Sequence, residues 1–395
     1  MQSASWLRVQ HRCVKILSHA NKCTAKGGKR FPPPWRVEET AKPMINVLVT
    51  GHQGYIGAVM TAMLQKAGHA VTGLDTAYFY DCNFFAMPTG VSERYSDLRH
   101  VTATDLAGCD AIIHLAALSN DPLGDLNAEC TYAINLQATI RLAKAAKAAG
   151  VERFIFASSC SIYGASGPDD VVTEESPLRP LTPYAESKVR AETALAALAD
   201  YNFTPVFLRN ATAYGVSPRL RVDLVVNNLV AWALTTGKIR ILSDGAPWRP
   251  LVHVQDICRA AIAMLEAPRT AVSGEPFNVG RTAEVYQVRR IAELVQEVLP
   301  ECAIEVGTQN NPDPRSYRVN CEKLFRTLPD LVLDWTVPAG IVELVDAYRR
   351  HQFTLEGLQG RRFVRIQQLK YLLATQALDA DLFWKASPSP VSPHG

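Results

Sequence analysis

The sequence predicts an α/β protein in which a doubly wound parallel sheet is followed by a smaller, irregular C-terminal lobe. Three observations lead to this prediction. Short β-branched strands alternate with helical segments between residues 45 and 208, which is typical of parallel sheets. A glycine-rich turn joins the first strand to the first helix. Beyond Arg209 the alternation loosens, and proline and glycine interrupt the pattern.

The first strand–helix–strand unit spans Met44 to Asp75. It opens with an apolar strand at Ile45–Val49 and closes with a second strand at Ala70–Leu74. Apolar residues at helical spacing between the two strands predict an amphipathic helix. This is the context in which a glycine-rich turn indicates a dinucleotide site.

Three glycines follow the first strand in the sequence GHQGYIG. Gly51 permits the tight turn, Gly54 lets the backbone approach a pyrophosphate, and Gly57 lets helix and strand pack closely. Asp75 ends the second strand, where a carboxylate can accept both ribose hydroxyls and would repel a 2′-phosphate. The sequence therefore favours NAD over NADP. The turn residues assigned to the cofactor are Gly51, Gln53, Gly54, Tyr55, Ile56 and Gly57.

The remaining elements continue the alternation. A third strand should end before Asp97, and later strands are predicted at Ala111–Leu115, Arg153–Ala157 and Thr204–Leu208, with long helices over residues 127–149 and 184–200. Segments 252–266 and 277–280 are expected to return to the sheet, and helices are predicted over residues 285–299 and 363–383.

These elements predict four parts of the chain. They are a basic N-terminal extension (1–43), a dinucleotide-binding domain (44–210, with returning segments 251–281), a substrate-binding lobe (211–250 and 282–345), and a helical C-terminal extension with a tail (346–395).

Residues 1–43 carry most of the basic charge. They hold nine Lys or Arg and two acids, a net charge of +7, so the remaining 352 residues carry −4. Three interpretations stay open: a disordered basic tail, an organellar targeting peptide, or upstream sequence translated from a start before Met44, which we favour. We expect deletion of residues 1–43 to leave activity intact. A truncated protein that fails to fold or to bind NAD would contradict this.

The composition argues against several classes of protein. Hydrophobic residues make up 48% and charged residues 20% of the chain, without an apolar run of membrane-spanning length, as in soluble globular proteins. The nine cysteines are odd in number and lack C-x-x-C spacing. This favours a reduced, cytoplasmic protein without a structural metal site. The mildly acidic body gives no indication of nucleic-acid binding.

Tyr184 and Lys188 lie four residues apart in a predicted helix and therefore share one face. A lysine ammonium, together with the charge of an oxidised nicotinamide, lowers the pKa of a phenol, so such a tyrosine can act as a base near neutral pH. Ser159 follows the fifth strand at the edge of the sheet where ligands bind. We expect Ser159 to hold a substrate hydroxyl or carbonyl for Tyr184.

Together these motifs resemble the extended short-chain dehydrogenase/reductase family, in its NAD-dependent nucleotide-sugar epimerase/dehydratase branch, over about residues 44–345. The resemblance rests on GHQGYIG, on Asp97-Leu98-Arg99, on HLAA at residues 114–117, on SSCSIYG at residues 158–164 and on the Tyr184 to Lys188 segment. It implies a Rossmann-type fold, NAD as cofactor and a nucleotide-diphosphate sugar as substrate.

The resemblance also implies cofactor contacts beyond the glycine turn. Asp97 would contact the adenine with Leu98 beside it, and Lys188 would also hold the nicotinamide ribose. Asn135, in the long helix, would lie near the active site. The residues of the HLAA motif included in this cofactor set are Leu115, Ala116 and Ala117.

Substrate contacts follow from the resemblance less directly. Arg249 would bind the nucleotide diphosphate, unless it forms a surface ion pair with an acid such as Asp256. Arg315 would be a second diphosphate contact, and Arg219 either lines the same pocket or is solvated. Asn210 is a further candidate, although many relatives carry their asparagine two residues before the tyrosine of the next Tyr-Gly pair, so contacts in this loop do not transfer directly.

Two positions depart from the patterns of other family branches. Sugar 4,6-dehydratases carry an Asp-Glu pair just after the catalytic hydroxyl residue, where this chain has Cys160 and Ser161. Enzymes that epimerise beside a keto group place a cysteine at the position of Ser161. These departures make dehydration less favoured, and they suggest a packing role for Cys160.

The main hypothesis is an NAD-dependent nucleotide-sugar epimerase that acts through a transient 4-keto sugar. Alternatives are a nucleotide-sugar reductase or dehydratase of the same family, or a non-catalytic NAD-binding sensor or scaffold. A binding module would not need Ser159, Tyr184 and Lys188. The resemblance further implies a homodimer built by the helices over 127–149 and 184–200, unless their alanine-rich faces pack within the monomer.

Overall fold

The computed structural model of the protein describes residues 44–165, 167, 170–307 and 316–386. The expectations for residues 1–43 and for Arg315 lie outside the described residues.

The strands predicted at residues 45, 70, 111, 153 and 204 begin within one residue of those positions, and the structure adds shorter strands that the sequence did not predict. In chain order they are β1 (Asn46–Thr50), β2 (Ala70–Asp75), β3 (Ser92–Tyr95), β4 (Ala111–His114), β5 (Arg153–Ser159), β6 (Val171–Val172), β7 (Thr204–Asn210), β8 (Thr212–Tyr214), β9 (Lys238–Ile241), β10 (Trp248–His253), β11 (Pro276–Val279), β12 (Val285–Gln287), β13 (Ala303–Val306) and β14 (Arg318–Val319).

The α-helices lie between these strands and after the last of them. In chain order they are α1 (Tyr55–Lys66), α2 (Asp121–Gly124), α3 (Ala128–Thr131), α4 (Thr139–Ala148), α5 (Pro183–Ala196), α6 (Val225–Thr236), α7 (Val254–Glu266), α8 (Arg269–Val272), α9 (Val288–Val298), α10 (Glu322–Thr327), α11 (Val337–Arg350), α12 (Leu355–Gln359) and α13 (Arg365–Ala374). A π-helical stretch, Tyr132–Ala138, joins α3 to α4.

Seven strands form the central sheet in the order β11-β7-β5-β4-β1-β2-β3, and every pairing in it is parallel. The chain leaves β1 toward β2 and β3 on one side, and later returns to β4, β5, β7 and β11 on the other. The predicted doubly wound α/β fold is confirmed. Its strand order reverses between β1 and β4, where ligands bind in open α/β sheets.

Alternate residues of the strands face opposite sides of the sheet. Val47 and Val49 of β1 pack into a core with α1 and α7, whereas Leu48 packs into a second core with α4 and α5. These two cores cover both faces of the sheet, as parallel sheets require. They hold the carboxyl ends of β1, β4 and β5 in fixed register at one edge.

A further core lies among α6, α9 and α11. It is built by residues of segments 211–250 and 282–345, together with Leu251, Tyr348, Leu358 and Phe363. The three-stranded sheet β12-β10-β8 passes beside it.

Segment 252–266 forms the end of β10 and helix α7, and β10 pairs with β8 and not with the central sheet. Segment 277–279 does join the central sheet, as the edge strand β11.

Two C-terminal predictions differ from the structure. The predicted helix over 285–299 begins as strand β12, because Val285–Gln287 pair with β10, and only Val288–Val298 is helical. The predicted helix over 363–383 extends only over Arg365–Ala374. Gln376 has a φ of 59°, a left-handed conformation that ends the helix, and the chain then folds back on itself.

The returning C-terminal segment packs against the loop that follows β2. Leu369, Leu372 and Leu382 share a core with Tyr78 and Leu118. The Tyr78 hydroxyl donates to the Leu382 carbonyl at 2.5 Å. This contact places the end of the described chain beside the predicted dinucleotide site.

Candidate active site

A cavity of about 640 Å³ opens at the carboxyl ends of the central strands. This size is in the range of small-molecule sites. The predicted cofactor and catalytic residues that line it are Gly51, Gly54, Tyr55, Ile56, Gly57, Asp75, Asp97, Leu98, Leu115, Ala116, Ala117, Ser159, Tyr184 and Lys188. Of the predicted substrate residues, Asn210 and Arg249 also line it. The fold thus brings together motifs that are up to 198 residues apart, from Gly51 to Arg249.

The glycine turn forms a close backbone approach between β1 and β4. Gly51 has a φ of 74°, and a Cβ atom at this residue would lie 2.8 Å from the Ala116 nitrogen. A Cβ at Gly57 would lie 2.1 Å from the Gly51 carbonyl oxygen. Larger side chains at these two positions are therefore excluded by backbone atoms.

The amino end of α1 faces the cavity without a competing cap. Its N-cap residue, Gly54, makes no side-chain cap hydrogen bond, and the first turn contains no acid. Helix N-termini with free N–H groups favour anions. The turn and helix therefore fit the diphosphate of a dinucleotide.

The carboxylate of Asp75 is held in place by backbone donors. The amides of Gln53 and Ala77 donate to it at 3.1 and 2.8 Å. The Gln53 side chain is directed away, since its amide nitrogen donates to Glu93 and Tyr95 at 3.0 and 2.8 Å. Gln53 thus orients the predicted ribose-binding acid through its backbone.

Two further predicted cofactor residues, Asp97 and Asn135, are hydrogen-bonded to other groups of the protein. Arg99 donates to the Asp97 carboxylate through Nη2 at 2.7 Å and Nε at 2.9 Å. Asn135 is buried in the π-helical stretch and bonds the backbone of Leu118 in both directions, at 2.8 and 3.1 Å. Asn135 therefore braces the loop after β4, and this loop lines the cavity.

The three predicted catalytic residues lie on β5 and α5. Thr182 caps α5 by accepting from the Ala185 amide at 3.2 Å, so that Tyr184 lies in the first turn. The Lys188 Nζ donates to the Ala157 carbonyl at 2.7 Å and lies 5.8 Å from the centre of the Tyr184 ring. Ser159 ends β5 and accepts from the Ser161 amide at 3.2 Å.

Burial governs the charge of Lys188. Its side chain is enclosed, and this lowers its pKa to about 7, although Glu192 opposes the shift. A lysine with such a pKa can be charged or neutral under ordinary conditions. Its charge state can therefore respond to the state of the tyrosine and of a cofactor beside it.

Glu192 lies one helical turn after Lys188 and belongs to a buried ion pair. Arg209 donates to it at 2.7 Å, and the Ser158 hydroxyl donates to it at 2.5 Å. Burial alone would lower the pKa of Arg209, but Glu192 and Tyr163 raise it overall. This network joins α5 to β5 and β7, and so fixes the helix that carries Tyr184 and Lys188.

Two buried side-chain oxygens in the cavity wall have no hydrogen-bond partner within the described residues. They are the Ser161 Oγ and the Asn210 Oδ1. Asn210 is the register partner of Ser159 on the neighbouring strand. Unpaired buried polar groups are costly, so both atoms fit contacts to a polar ligand.

Cys160 differs from its neighbour Ser161. Its side chain is 1% exposed and its thiol donates to the Arg209 carbonyl at 3.1 Å. Burial raises the pKa of this thiol well above its usual value. The thiolate form required of a catalytic cysteine is therefore disfavoured.

Comparison with known proteins identifies the family of the chain. Residues 47–280, more than half of the chain, match the model of the NAD dependent epimerase/dehydratase family. The chain belongs to this family. It is an NAD-dependent enzyme of the extended short-chain dehydrogenase/reductase type, as the resemblance implies.

Individual relatives include both epimerases and dehydratases. The UDP-glucose 4-epimerase of Mycolicibacterium smegmatis is 28% identical over 77% of this chain and 99% of its own. The dTDP-D-glucose 4,6-dehydratase of Mus musculus is 27% identical over 77% of this chain and 89% of its own. The structure of MoeE5 in complex with UDP-glucose and NAD is 28% identical, with a TM-score of 0.67, over 78% of this chain and 99% of that chain.

Arg219 has a position that neither interpretation of the SPRLR motif anticipates. It is 1% exposed, and it donates to the carbonyls of Phe79 and Tyr80 and, at 2.7 Å, to the Gln53 side chain. It is not one of the residues that line the cavity. The structure thus places Arg219 inside the fold, where it ties the loop after β2 to the glycine turn.

Arg221, two residues further on, does line the cavity, although it was not among the predicted site residues. It pairs with Asp223 at 2.8 Å and donates to the Ser119 hydroxyl at 3.2 Å. Asn120 donates to the same carboxylate at 3.0 Å. The signal in the sequence was the pair of arginines, separated by one residue, in the SPRLR motif. A sequence pattern does not show which of these two arginines lines the cavity.

Arg249 lines the cavity and donates to the Trp248 carbonyl at 3.0 Å. Asp256, its suggested alternative partner, pairs with Arg259 at 2.8 Å. Other lining residues that the sequence did not single out include Ser119, Asn120, Asn228, Arg240, Arg365 and Ile366.

Two further findings concern the described residues as a whole. Among them no cluster of three or more His, Cys, Asp or Glu is arranged to hold a metal ion. Nor does any helix in that part of the chain combine the length and apolarity needed to cross a bilayer.

Proposed function

We propose that the protein is a nucleotide-sugar 4-epimerase that acts through a transient 4-keto sugar. The observation that carries this proposal is the common cavity of Ser159, Tyr184 and Lys188, beside the dinucleotide cradle and without the acid pair of sugar dehydratases. Cys160 and Ser161 occupy the positions of that pair, so elimination of water lacks its acid and base.

In this proposal Tyr184 moves the proton. It accepts a proton from the C4 hydroxyl of the sugar and later returns it, while Ser159 holds the same oxygen by a hydrogen bond. Lys188, when charged, stabilises the deprotonated phenol. NAD, when bound, supplies the hydride acceptor and donor. The sugar turns over between the two hydride steps, which inverts C4 and regenerates the cofactor.

The nucleotide end of the substrate would lie along the outer part of the cavity. Arg249 supplies a cation there for a diphosphate, and guanidinium groups recognise phosphate oxygens well. Asn210 and Ser161 would contact the sugar, because both present unpartnered buried oxygens among the described residues. Arg315 remains a candidate second diphosphate contact from the sequence alone.

The test is to screen UDP-, dTDP-, GDP- and CDP-sugars by thermal shift with NAD present, and then to analyse the products formed in D₂O. A 4-epimerase returns the same hydride to C4, so its product should contain no carbon-bound deuterium. Deuterium at a sugar carbon would instead support a dehydratase or an epimerase that acts beside the keto group. Net oxidation or reduction of added cofactor would support a reductase.

We also propose that two chains associate through α4 and α5 and their π-helical extension. Ala143, Ala146 and Ala191 are buried in the core of their own chain, as the alternative interpretation expects, so a partner would contact the exposed residues of these helices. A light-scattering mass of one chain in solution would exclude the dimer. The seven cysteines of the described part are free thiols, which supports a reducing, cytoplasmic location.

A further inference from the structure

Arg365 begins α13 and reaches the cavity from the C-terminal part of the chain. It lies 85 residues beyond the end of the family match at residue 280. Its side chain is 2% exposed, yet it lines the cavity together with Ile366. A buried cation thus enters the active-site cavity from a segment that the family motifs do not cover.

The contacts of Arg365 satisfy only part of its guanidinium. Nη2 donates to the Arg219 carbonyl at 3.1 Å, and Cζ lies 4.2 Å from the centre of the Phe79 ring. Nη1 is buried and has no hydrogen-bond partner in the part of the chain that the structure describes. A buried guanidinium N–H without an acceptor is costly, so a ligand acceptor is expected there.

The charges around Arg365 also favour an anionic ligand. Arg219 and Arg221 both lie close enough to influence Arg365, and the nearby Asp223 already pairs with Arg221 at 2.8 Å. Burial first and Arg221 next lower the pKa of Arg365 to about 10, so it remains charged at neutral pH. An anion in the cavity would offset this excess positive charge.

The neighbours of Arg365 indicate which end of the cavity it serves. Phe79 lies four residues after Asp75, in the loop that leaves the predicted ribose-binding acid. Gln368, one turn further along α13, donates to the Tyr78 carbonyl at 3.1 Å in the same loop. Arg365 therefore lies against the loop that leaves Asp75, at the place where the Arg219 segment also contacts this loop.

We propose that Arg365 binds a diphosphate in this cavity, so that the C-terminal segment completes the ligand site. Both NAD and a nucleotide-sugar substrate contain a diphosphate, and the position against Phe79 favours that of NAD. The proposal rests on dinucleotide binding by the family and, for the second source, on the proposed substrate. It assigns α13 a direct binding role.

The experiment compares ligands that differ in the diphosphate. The full chain, stripped of nucleotide, is titrated by calorimetry with ADP-ribose and AMP, and separately with UDP and UMP. Arg365→Met is compared with Arg362→Met, which removes an exposed arginine three residues earlier. We expect Arg365→Met to weaken ADP-ribose binding by about 10- to 100-fold, with AMP binding unchanged, because a charge-assisted hydrogen bond is lost. Arg362→Met should match the wild type.

Each outcome decides the proposal. Selective weakening of UDP relative to UMP would support it with the nucleotide sugar as the source. Equal binding of both diphosphates by Arg365→Met and wild type would overturn it while leaving the proposed function intact. A wild type that binds neither ADP-ribose nor UDP would overturn both.

A second variant covers the case in which Arg365→Met destabilises the fold. Arg365→Lys keeps the charge and the packing of the aliphatic stem on Phe79, but it loses the planar fork that contacts two acceptors. We expect it to bind ADP-ribose several-fold more weakly than wild type and AMP equally well. Unchanged ADP-ribose affinity in Arg365→Lys, with Arg365→Met unfolded, would assign Arg365 a structural role and overturn the proposal.

Discussion

Lys188 lies one helical turn after Tyr184, and its Nζ is 5.8 Å from the centre of the Tyr184 ring. The Ala157 carbonyl, at 2.7 Å, and the face of Phe156, at 4.6 Å, hold the amine in this place. Backbone and aromatic contacts thus position the cation independently of any ligand. This arrangement fits the proposed transfer of one proton by Tyr184 at the wall of the cavity.

Substitution Tyr184→Phe tests this pair. The variant keeps the ring and its packing but removes the proton-transferring hydroxyl. We expect it to retain NAD and to lose about 100- to 10,000-fold in kcat, the usual contribution of a positioned acid/base group. NAD content after purification and the steady-state rate are the two measurements. Near-full activity would contradict the proposed role.

Lys188 should make folding stability depend on pH. Its pKa is about 7 in the folded protein, whereas a lysine in an unfolded chain titrates near 10.4. Between these values the unfolded chain holds a proton that the folded protein has released. Stability should therefore rise with pH over this window, by up to about 1.4 kcal/mol per pH unit.

The measurement is urea unfolding of wild type and Lys188→Met at pH 6, 7.5 and 9. The variant removes the titrating group, so the free energy of unfolding of wild type relative to it should increase from pH 7.5 to pH 9. Below about pH 7 both states hold the proton and the difference should level off. A difference that is constant across the range would contradict the buried, depressed lysine.

Glu192→Gln should strongly destabilise the fold because it leaves the buried Arg209 without its counter-charge. Breaking a buried ion pair typically costs about 3–5 kcal/mol. Glu186→Gln is the matched control on the same helix, since the Glu186–Arg190 pair is exposed and 3.6 Å long. It should cost less than about 1 kcal/mol. Equal losses in urea unfolding would argue against the network as the support of α5.

Substitutions of the adjacent residues Ser161 and Cys160 should have different effects on kcat/KM. Ser161→Ala removes a cavity hydroxyl and should lower kcat/KM about 3- to 10-fold, the effect of one neutral hydrogen bond. Cys160→Ala changes a side chain turned into the core and should leave kcat/KM unchanged. Steady-state kinetics on the substrate found by screening provide the comparison. A large loss in Cys160→Ala alone would reopen a catalytic role for the thiol.

Asp75 should determine the preference for NAD over NADP. Asp75→Ser removes the carboxylate that would repel a 2′-phosphate, so the ratio of NADP to NAD affinity should rise by roughly tenfold or more. Asp81→Ser, at an exposed acid six residues later, is the control and should leave the ratio unchanged. Calorimetric titration with each dinucleotide measures the effect. An unaltered ratio in Asp75→Ser would assign the selectivity to other groups.

Local patterns predicted the features that depend on a few neighbouring residues. The glycine turn, the acid at the end of β2 and the Tyr184–Lys188 pair are each set by spacing within a short segment of the chain. The alternation of strands and helices then predicted the parallel sheet, since such connections leave few topologies. Boundaries were less accurate where pairing overrode propensity, as at Val285–Gln287, which joins a strand of the second sheet.

The sequence by itself determined the fold class, the dinucleotide turn and the candidate residues for the chemistry, because these follow from local periodicity and spacing. Only the tertiary structure decided that Arg219 is buried while Arg221 lines the cavity, and that Arg365 reaches the same cavity from the far end of the chain. The reason is that burial and charge pairing depend on which distant segments meet. A local sequence pattern does not show which distant segments come into contact.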